Sequence, residues 1–179
     1  MQLLRGATRS RSRGVDSKNP PMIDTRPLRH ALGGFATGVC VVTAMGARGA
    51  MGITVNSFTS VSLEPPTVLW SLGKKSDRWP TFSQTDHFAV HVLNSDGAEL
   101  CQRFAFGNPL LEPDEFEPGI GGVPLIDGWI SRFECHVCRR EDAGDHLLIF
   151  GRVERFEARD GTGLAFFRGS YGPISRGER

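Results

Sequence analysis

The stretch from Trp129 to Glu157 constrains the fold more than any other part of the chain. Trp129 to Arg139 and His146 to Glu157 both read as long strands, and Asp142-Ala143-Gly144-Asp145 between them is a turn sequence. A turn this short leaves antiparallel pairing as the only arrangement, since a parallel return needs a crossover of about a dozen residues or more. The pattern recurs upstream. Val39 to Met45 reads as a strand, Gly46-Ala47-Arg48-Gly49 as a turn and Met51 to Phe58 as a second strand. Thr67 to Leu72 follows Glu64-Pro65-Pro66, where the prolines block a helix, and His87 to Leu93 and Leu164 to Arg168 complete the set. About seven strands, mostly joined as hairpins, predict a mainly β domain with short helices, a small antiparallel barrel rather than a doubly wound parallel sheet.

Helices are expected at three places. Pro27 to Thr37 places Leu28, Ala31, Leu32 and Phe35 on one face, with Thr25 as cap, although Gly33 and Gly34 weaken it. Ser76 is the candidate cap of a short helix holding Trp79 and Phe82, with Pro80 in its first turn. Asp96 and Glu99 have capping-box spacing at the start of a helix through Phe104. Asn108 to Val123, rich in Pro, Gly and acid, reads as a loop of no derivable role.

Charge removes several classes of function. The formal net charge of +1 offers no basic field for nucleic acid, and no apolar run reaches the ~18 residues of a membrane span. The total is a cancellation. Residues 1–20 carry Arg5, Arg9, Arg11, Arg13 and Lys18 against Asp16, which makes this arm +4 and the remainder −3. Residues 1–21 are expected to be a disordered basic arm, with Met22 as the natural first residue. A transit peptide shares this composition, whereas a secretory signal would need an apolar stretch that is lacking. A single domain is expected over 22–175, with residues 176–179 frayed. The four cysteines suit a reducing, cytoplasmic setting rather than a disulfide framework. Cys135-His136-Val137-Cys138 falls within a strand, so the two thiols are expected to point apart and to hold no metal.

No phosphate-loop, dinucleotide, zinc-hydrolase or serine-hydrolase signature occurs. Three polar clusters remain. Gly52-Ile-Thr-Val-Asn-Ser-Phe-Thr-Ser60 puts Thr54, Asn56 and Phe58 on one strand face, a candidate site lining, although Thr and Ser are also ordinary strand residues. Ser71-Leu-Gly-Lys-Lys-Ser-Asp-Arg-Trp79 holds Lys74 and Lys75, the only lysines after Lys18. Such a loop before a helix suits a phosphate, and a solvated charge run is the competing reading. Gly144-Asp145-His146 sits at a hairpin mouth, where a histidine can reach a ligand.

Taken together, Phe35-Ala-Thr-Gly-Val-Cys-Val-Val-Thr43, Gly52 through Pro66, Gly144-Asp-His146 and Phe167-Arg-Gly-Ser-Tyr171 resemble the short-chain flavin reductases. These are the reductase components of two-component flavin-dependent monooxygenases. The resemblance spans about residues 25–173. It implies an antiparallel FMN-binding split β-barrel, a homodimer, and hydride transfer from NADH or NADPH to FMN or FAD. Reduced flavin then passes to a partner monooxygenase.

The same resemblance implies roles for individual residues. Gly52, Ile53, Thr54, Asn56 and Ser57 would contact the flavin ring and ribityl chain; Ser71, Leu72, Gly73, Ser76, Asp77 and Arg78 would form the phosphate-side loop. Arg103 and Phe104 match a further flavin contact, and His146 and Tyr171 lie where the family places groups near the nicotinamide. Hydride passes directly between the two rings, so the protein's task is to stack them and to stabilise charge on the reduced flavin. Two other readings remain on the same fold: a non-enzymatic flavin- or haem-binding barrel, and an oxidase resembling pyridoxamine-phosphate oxidase. Asn56, His146 and Tyr171 favour the reductase.

Overall fold

The computed structural model describes residues 23–177, so the basic arm, Met22 and residues 178–179 lie outside the described residues. Helix α1 (Thr25–Leu32) comes first. The Asp24 side chain, rather than Thr25, caps it by accepting a hydrogen bond from Arg26 N at 3.0 Å, and Gly33 ends it. The glycines therefore terminate the helix instead of weakening its interior. The strands that follow are β1 (Thr37–Gly38), β2 (Cys40–Gly46), β3 (Gly49–Val55), β4 (Thr59–Leu63) and β5 (Pro66–Gly73). Next come the one-turn helix α2 (Trp79–Phe82), β6 (His87–Leu93) and α3 (Ala98–Phe106). Beyond them lie β7 (Glu117–Pro118), β8 (Pro124–Leu125), β9 (Trp129–Ala143), β10 (His146–Ala158), β11 (Gly163–Phe167) and β12 (Ser170–Ile174).

Seven strands form one sheet in the order β3-β2-β6-β9-β10-β5-β4, every pair antiparallel. The long hairpin β9–β10 is its spine. It closes on a two-residue turn, Gly144-Asp145, because Asp142 and Ala143 of the four-residue turn in the sequence reading extend β9. Gly144 takes φ +61°, a left-handed conformation that glycine adopts without a Cβ penalty.

The two edges of this sheet, β3 and β4, are linked by Asn56, Ser57 and Phe58 alone. Four Cα steps reach at most about 15 Å, whereas the edges of a flat seven-stranded sheet would lie about 29 Å apart. The sheet must therefore curl on itself. Its inner face confirms this: Met51 and Val55 of β3 share one core with Val68, Trp70 and Leu72 of β5, together with Phe82, Phe88, Val90 and Ile149. Trp70 meets Phe82 and Phe88 edge-on, at 5.5 and 6.0 Å between centroids, and burying each such ring contributes ~1.5–3 kcal/mol. On the outer face of β2 and β3, Val39, Val41 and Ala50 pack with Cys101 and Phe104 of α3.

Several sequence expectations shift. The strand foreseen over Met51 to Phe58 stops at Val55, because Asn56–Phe58 must cross the seam between the sheet edges. α3 has Gly97 at its N-cap with no side-chain bond, so Asp96 and Glu99 form no capping box. The last strand foreseen, Leu164 to Arg168, is followed by one more, since Ser170–Ile174 returns along β11 through Arg168 and Gly169 at positive φ. Cys135 is buried and Cys138 exposed, so the two thiols point apart as expected of a strand.

The acidic segment acquires a place as well. Gly52 N–H donates to Pro109 O at 2.8 Å and Leu111 N–H to Ala50 O at 3.0 Å, so Pro109 to Leu111 covers the open edge of β3. Arg103 holds the segment there, donating to Leu110 O at 2.7 Å and to both carboxylate oxygens of Glu115.

Candidate active site

The seam between β3 and β4 is where the polar residues converge. Thr54, Val55 and Asn56 line a cleft of about 200 Å³ with Val39, Ala105, Phe166 and Tyr171. Thr54 is fixed by its hydroxyl, which donates to Cys101 O at 2.7 Å. Asn56 is exposed, and its side chain makes no hydrogen bond among the described residues. Tyr171 enters from the small sheet β1-β11-β12, its ring 5.0 Å from that of Phe166. Burial, with help from the Cys101 thiol, pushes the Tyr171 phenol up to about 12, so it stays protonated near neutral pH.

A second row of residues leads away from Asn56. The Ser57 hydroxyl accepts from Ser71 N at 3.0 Å, which ties the seam to β5. Two residues further along β5, about 7 Å, Gly73 stands opposite His146 in the β10 register. The His146 Nδ1–H donates to Asp145 Oδ1 at 2.8 Å. That bond lowers the Asp145 carboxyl below its ordinary range and leaves the other ring nitrogen, Nε2, toward Gly73. A Cβ on Gly73 would stand 3.7 Å from it, in ordinary contact.

The loop between β5 and α2 differs from the phosphate cradle read from the sequence. Lys74 is committed to Asp142 at 2.7 Å, and its N–H to Asp145 O, so the loop is tied to the β9–β10 turn. Ser76 N–H donates to Gly73 O, and the Ser76 hydroxyl accepts from Arg78 N. α2 has a single turn, too short for a strong helix dipole, and its N-cap is Arg78 with no side-chain bond rather than Ser76, which lies two residues too early. Arg78, almost wholly buried, pairs with Asp77 at 2.5 Å and reaches Gly107 O at 3.4 Å, while its Nε has no partner. Lys75 makes no ion pair among the described residues and is the uncommitted cation of this loop.

Five residues foreseen in the site have other neighbours in the fold. Phe104 is fully buried and lies on Gly52, where a Cβ would come within 2.6 Å of its ring. Leu72 is in the inner core. Gly52 has its N–H taken by Pro109, and Arg103 has its guanidinium taken by Glu115. Ile53 is partly buried against the inner core. Val39, Val55, Ala105 and Phe166 line the cleft without having been foreseen there. Phe166 precedes the Phe167-Arg-Gly-Ser-Tyr171 stretch that drew attention, and nothing local marks Ala105.

A family model described as "Flavin reductase like domain" matches residues 32–175. The chain belongs to the flavin reductase-like domain family. This flavin reductase-like chain is an oxidoreductase by that membership. It is 48% identical over 153 residues to "FMN reductase (NADH) SmoA" of Agrobacterium fabrum, covering 86% of this chain and 88% of the relative. It is 35% identical over 157 residues to "Flavin-dependent monooxygenase, reductase subunit HsaB" of Mycobacterium tuberculosis, covering 83% and 82%. Among solved structures, Streptomyces globisporus "NADH:FAD oxidoreductase SgcE6 in complex with NAD and FAD fragments" is similar with a TM-score of 0.77 and 34% identity. The match covers 85% of this chain and 93% of that one.

Proposed function

We propose that this flavin reductase-like domain passes a hydride from NADH to FMN or FAD and releases the reduced flavin to a separate monooxygenase. The carrying observation is the position of Asn56 and Ser57. They cross the seam, with the Tyr171 cleft on one side and the Ser71–Gly73–His146 row on the other. The donor set suits a flavin: apolar walls at Val39, Ala105 and Phe166 for a flat ring, and neutral groups at Thr54, Asn56 and Tyr171 for its polar edge. When bound, the flavin supplies the redox chemistry, accepting two electrons and a proton as hydride from the nicotinamide.

The protein's residues position and exclude. Asn56 offers a donor and an acceptor that no internal bond uses. Tyr171, held neutral, closes the cleft without placing a negative charge against an electron-rich ring. His146, oriented by Asp145, faces the open side where the hydride donor enters. Burial pushes the Cys40 thiol up to about 12 and Cys135 higher still, so neither is a thiolate near neutral pH. Relatives named for NADH support that donor over NADPH. The relative named as a monooxygenase reductase subunit supports the downstream partner.

Purified protein is mixed with NADH or NADPH and each of FMN, FAD and riboflavin, and the nicotinamide absorbance is followed. Flavin-dependent oxidation, faster with NADH, is expected. Flavin binding without oxidation in any pair would identify a carrier barrel instead of a reductase.

The active form in this proposal is a homodimer. β4 is an edge strand whose partner side is open, and it exposes Val61 and Leu63, with Phe156 exposed on nearby β10. Apolar side chains on an open edge suit pairing with a second chain. Light scattering is expected to give twice the chain mass, and Leu63→Lys to shift it toward the monomer; a wild-type monomer at micromolar concentration would rule the dimer out.

A further inference from the structure

α1 carries an apolar stripe on which nothing packs. None of its residues is buried, and Leu32 and the following Phe35 are 64% and 77% exposed. Beside the stripe lies a compartment of about 430 Å³, lined by Arg29, Leu32, Phe35 and Thr37 and by Asn56 and Phe166. The last two also line the Tyr171 cleft, so the two spaces adjoin. The Arg29 guanidinium makes no ion pair or hydrogen bond among the described residues, and the Thr37 hydroxyl has no partner. An uncommitted cation, an exposed aromatic face and an apolar floor thus border the place proposed for the flavin ring.

We propose that this compartment holds the adenosine phosphate half of a dinucleotide whose reactive half occupies the cleft. The inference rests on the reductase reading above. A purine stacks on a phenyl face whatever its ring substituents. A guanidinium meets a phosphate through two parallel hydrogen bonds. A mononucleotide such as FMN leaves the compartment empty, so Arg29 and Phe35 discriminate between ligands with and without an adenosine phosphate. Both FAD and NADH carry this group, and the experiment separates them.

Full-length wild type, Arg29→Gln and Phe35→Ser are compared. Dissociation constants are measured for FMN and FAD, and KM at saturating FMN for NADH and for reduced nicotinamide mononucleotide. Adenosine 5′-monophosphate serves as a competitor. If FAD is the source, both variants weaken FAD about tenfold or more and leave FMN unchanged. If NADH is the source, its KM rises by the same factor while that of the mononucleotide does not. In either case adenosine monophosphate competes with the dinucleotide in the wild type and loses potency in Arg29→Gln. Equal effects on the long and short ligands overturn the proposal. So does a Phe35→Ser protein that turns monomeric with all affinities intact, which would assign the stripe to a second copy. Failure of the reductase reading is distinct from both: the wild type would then leave NADH unoxidised with FMN, FAD or riboflavin.

Discussion

His146 is the residue whose role is most exposed to test. Its imidazole is oriented by Asp145 and faces Gly73 at the end of the row that starts at Asn56. It touches neither the Tyr171 cleft nor the core. His146→Ala is therefore expected to raise KM for the nicotinamide about tenfold and leave the affinity for oxidised flavin within twofold, a loss of roughly one ligand hydrogen bond. Equal loss of both would place His146 on the flavin instead. Gly52 makes the opposite case, a residue that reads as a ligand contact and acts through packing. Gly52→Ala drives a methyl to 2.6 Å from the buried Phe104 ring, and such overpacking costs ~1–3 kcal/mol. A melting temperature unchanged within a degree would show that α3 yields to it.

At the scale of elements, the molecule depends on how its exposed edges are covered. The β3 edge is sealed by Pro109 to Leu111, and that cover is held by Arg103, through Glu115 and Leu110 O. The bond from Arg103, with Glu112 N–H adding to it, pulls the Glu115 carboxyl down to about 2, so the clamp stays ionised at any pH the protein would meet. Arg103→Ala should free the segment while leaving the curled sheet intact. Limited proteolysis is expected to cut between Asn108 and Val123 several times faster in the variant, with unchanged far-ultraviolet circular dichroism. Unaltered cleavage would mean that the two backbone bonds to β3 hold the cover by themselves.

For the whole molecule, pH is the revealing variable. His91 is fully buried, its Nδ1–H donating to Val41 O at 3.3 Å and its Nε2 accepting from Ile126 N at 3.2 Å. Burial pulls it down from 6.5 to about 3 against the opposing bond to Val41 O, and the bond that Nε2 accepts from Ile126 requires the neutral ring. Below pH 6.5 the unfolded chain takes up a proton that the folded one refuses. Stability is then lost as pH falls toward 3, at ~1.4 kcal/mol per pH unit. Glu134 acts in the same direction. Burial raises its carboxyl, but Arg155 at 2.6 Å and Ile120 N–H at 2.7 Å outweigh that and lower it on balance, so acid removes its contribution too. Urea midpoints are expected to fall steadily from pH 7 to pH 4, and to fall less steeply in His91→Gln. Parallel slopes would exclude His91 as the source.

The sequence by itself determined what is local. The β9–β10 hairpin, the β2–β3 hairpin, β6 and the one-turn helix over Trp79 and Phe82 were legible because turn residues and β-branched runs act over a few positions. The polar stretch Asn56-Ser57 and the lone tyrosine were legible as candidates, and the motifs around them pointed to the family that the comparisons show. Tertiary structure alone decided which of those candidates face a shared space. Gly52, Leu72, Arg103 and Phe104 read like their neighbours in sequence, yet each is taken by a partner at least 30 positions away or, for Arg103, by a loop whose path has no local signature. The short link holds β3 near β4, and the curl lets both stay in one sheet and sets Asn56 between the cleft and the His146 row. That curl follows from burying one face of seven strands at once, a property of the summed apolar surface rather than of any segment.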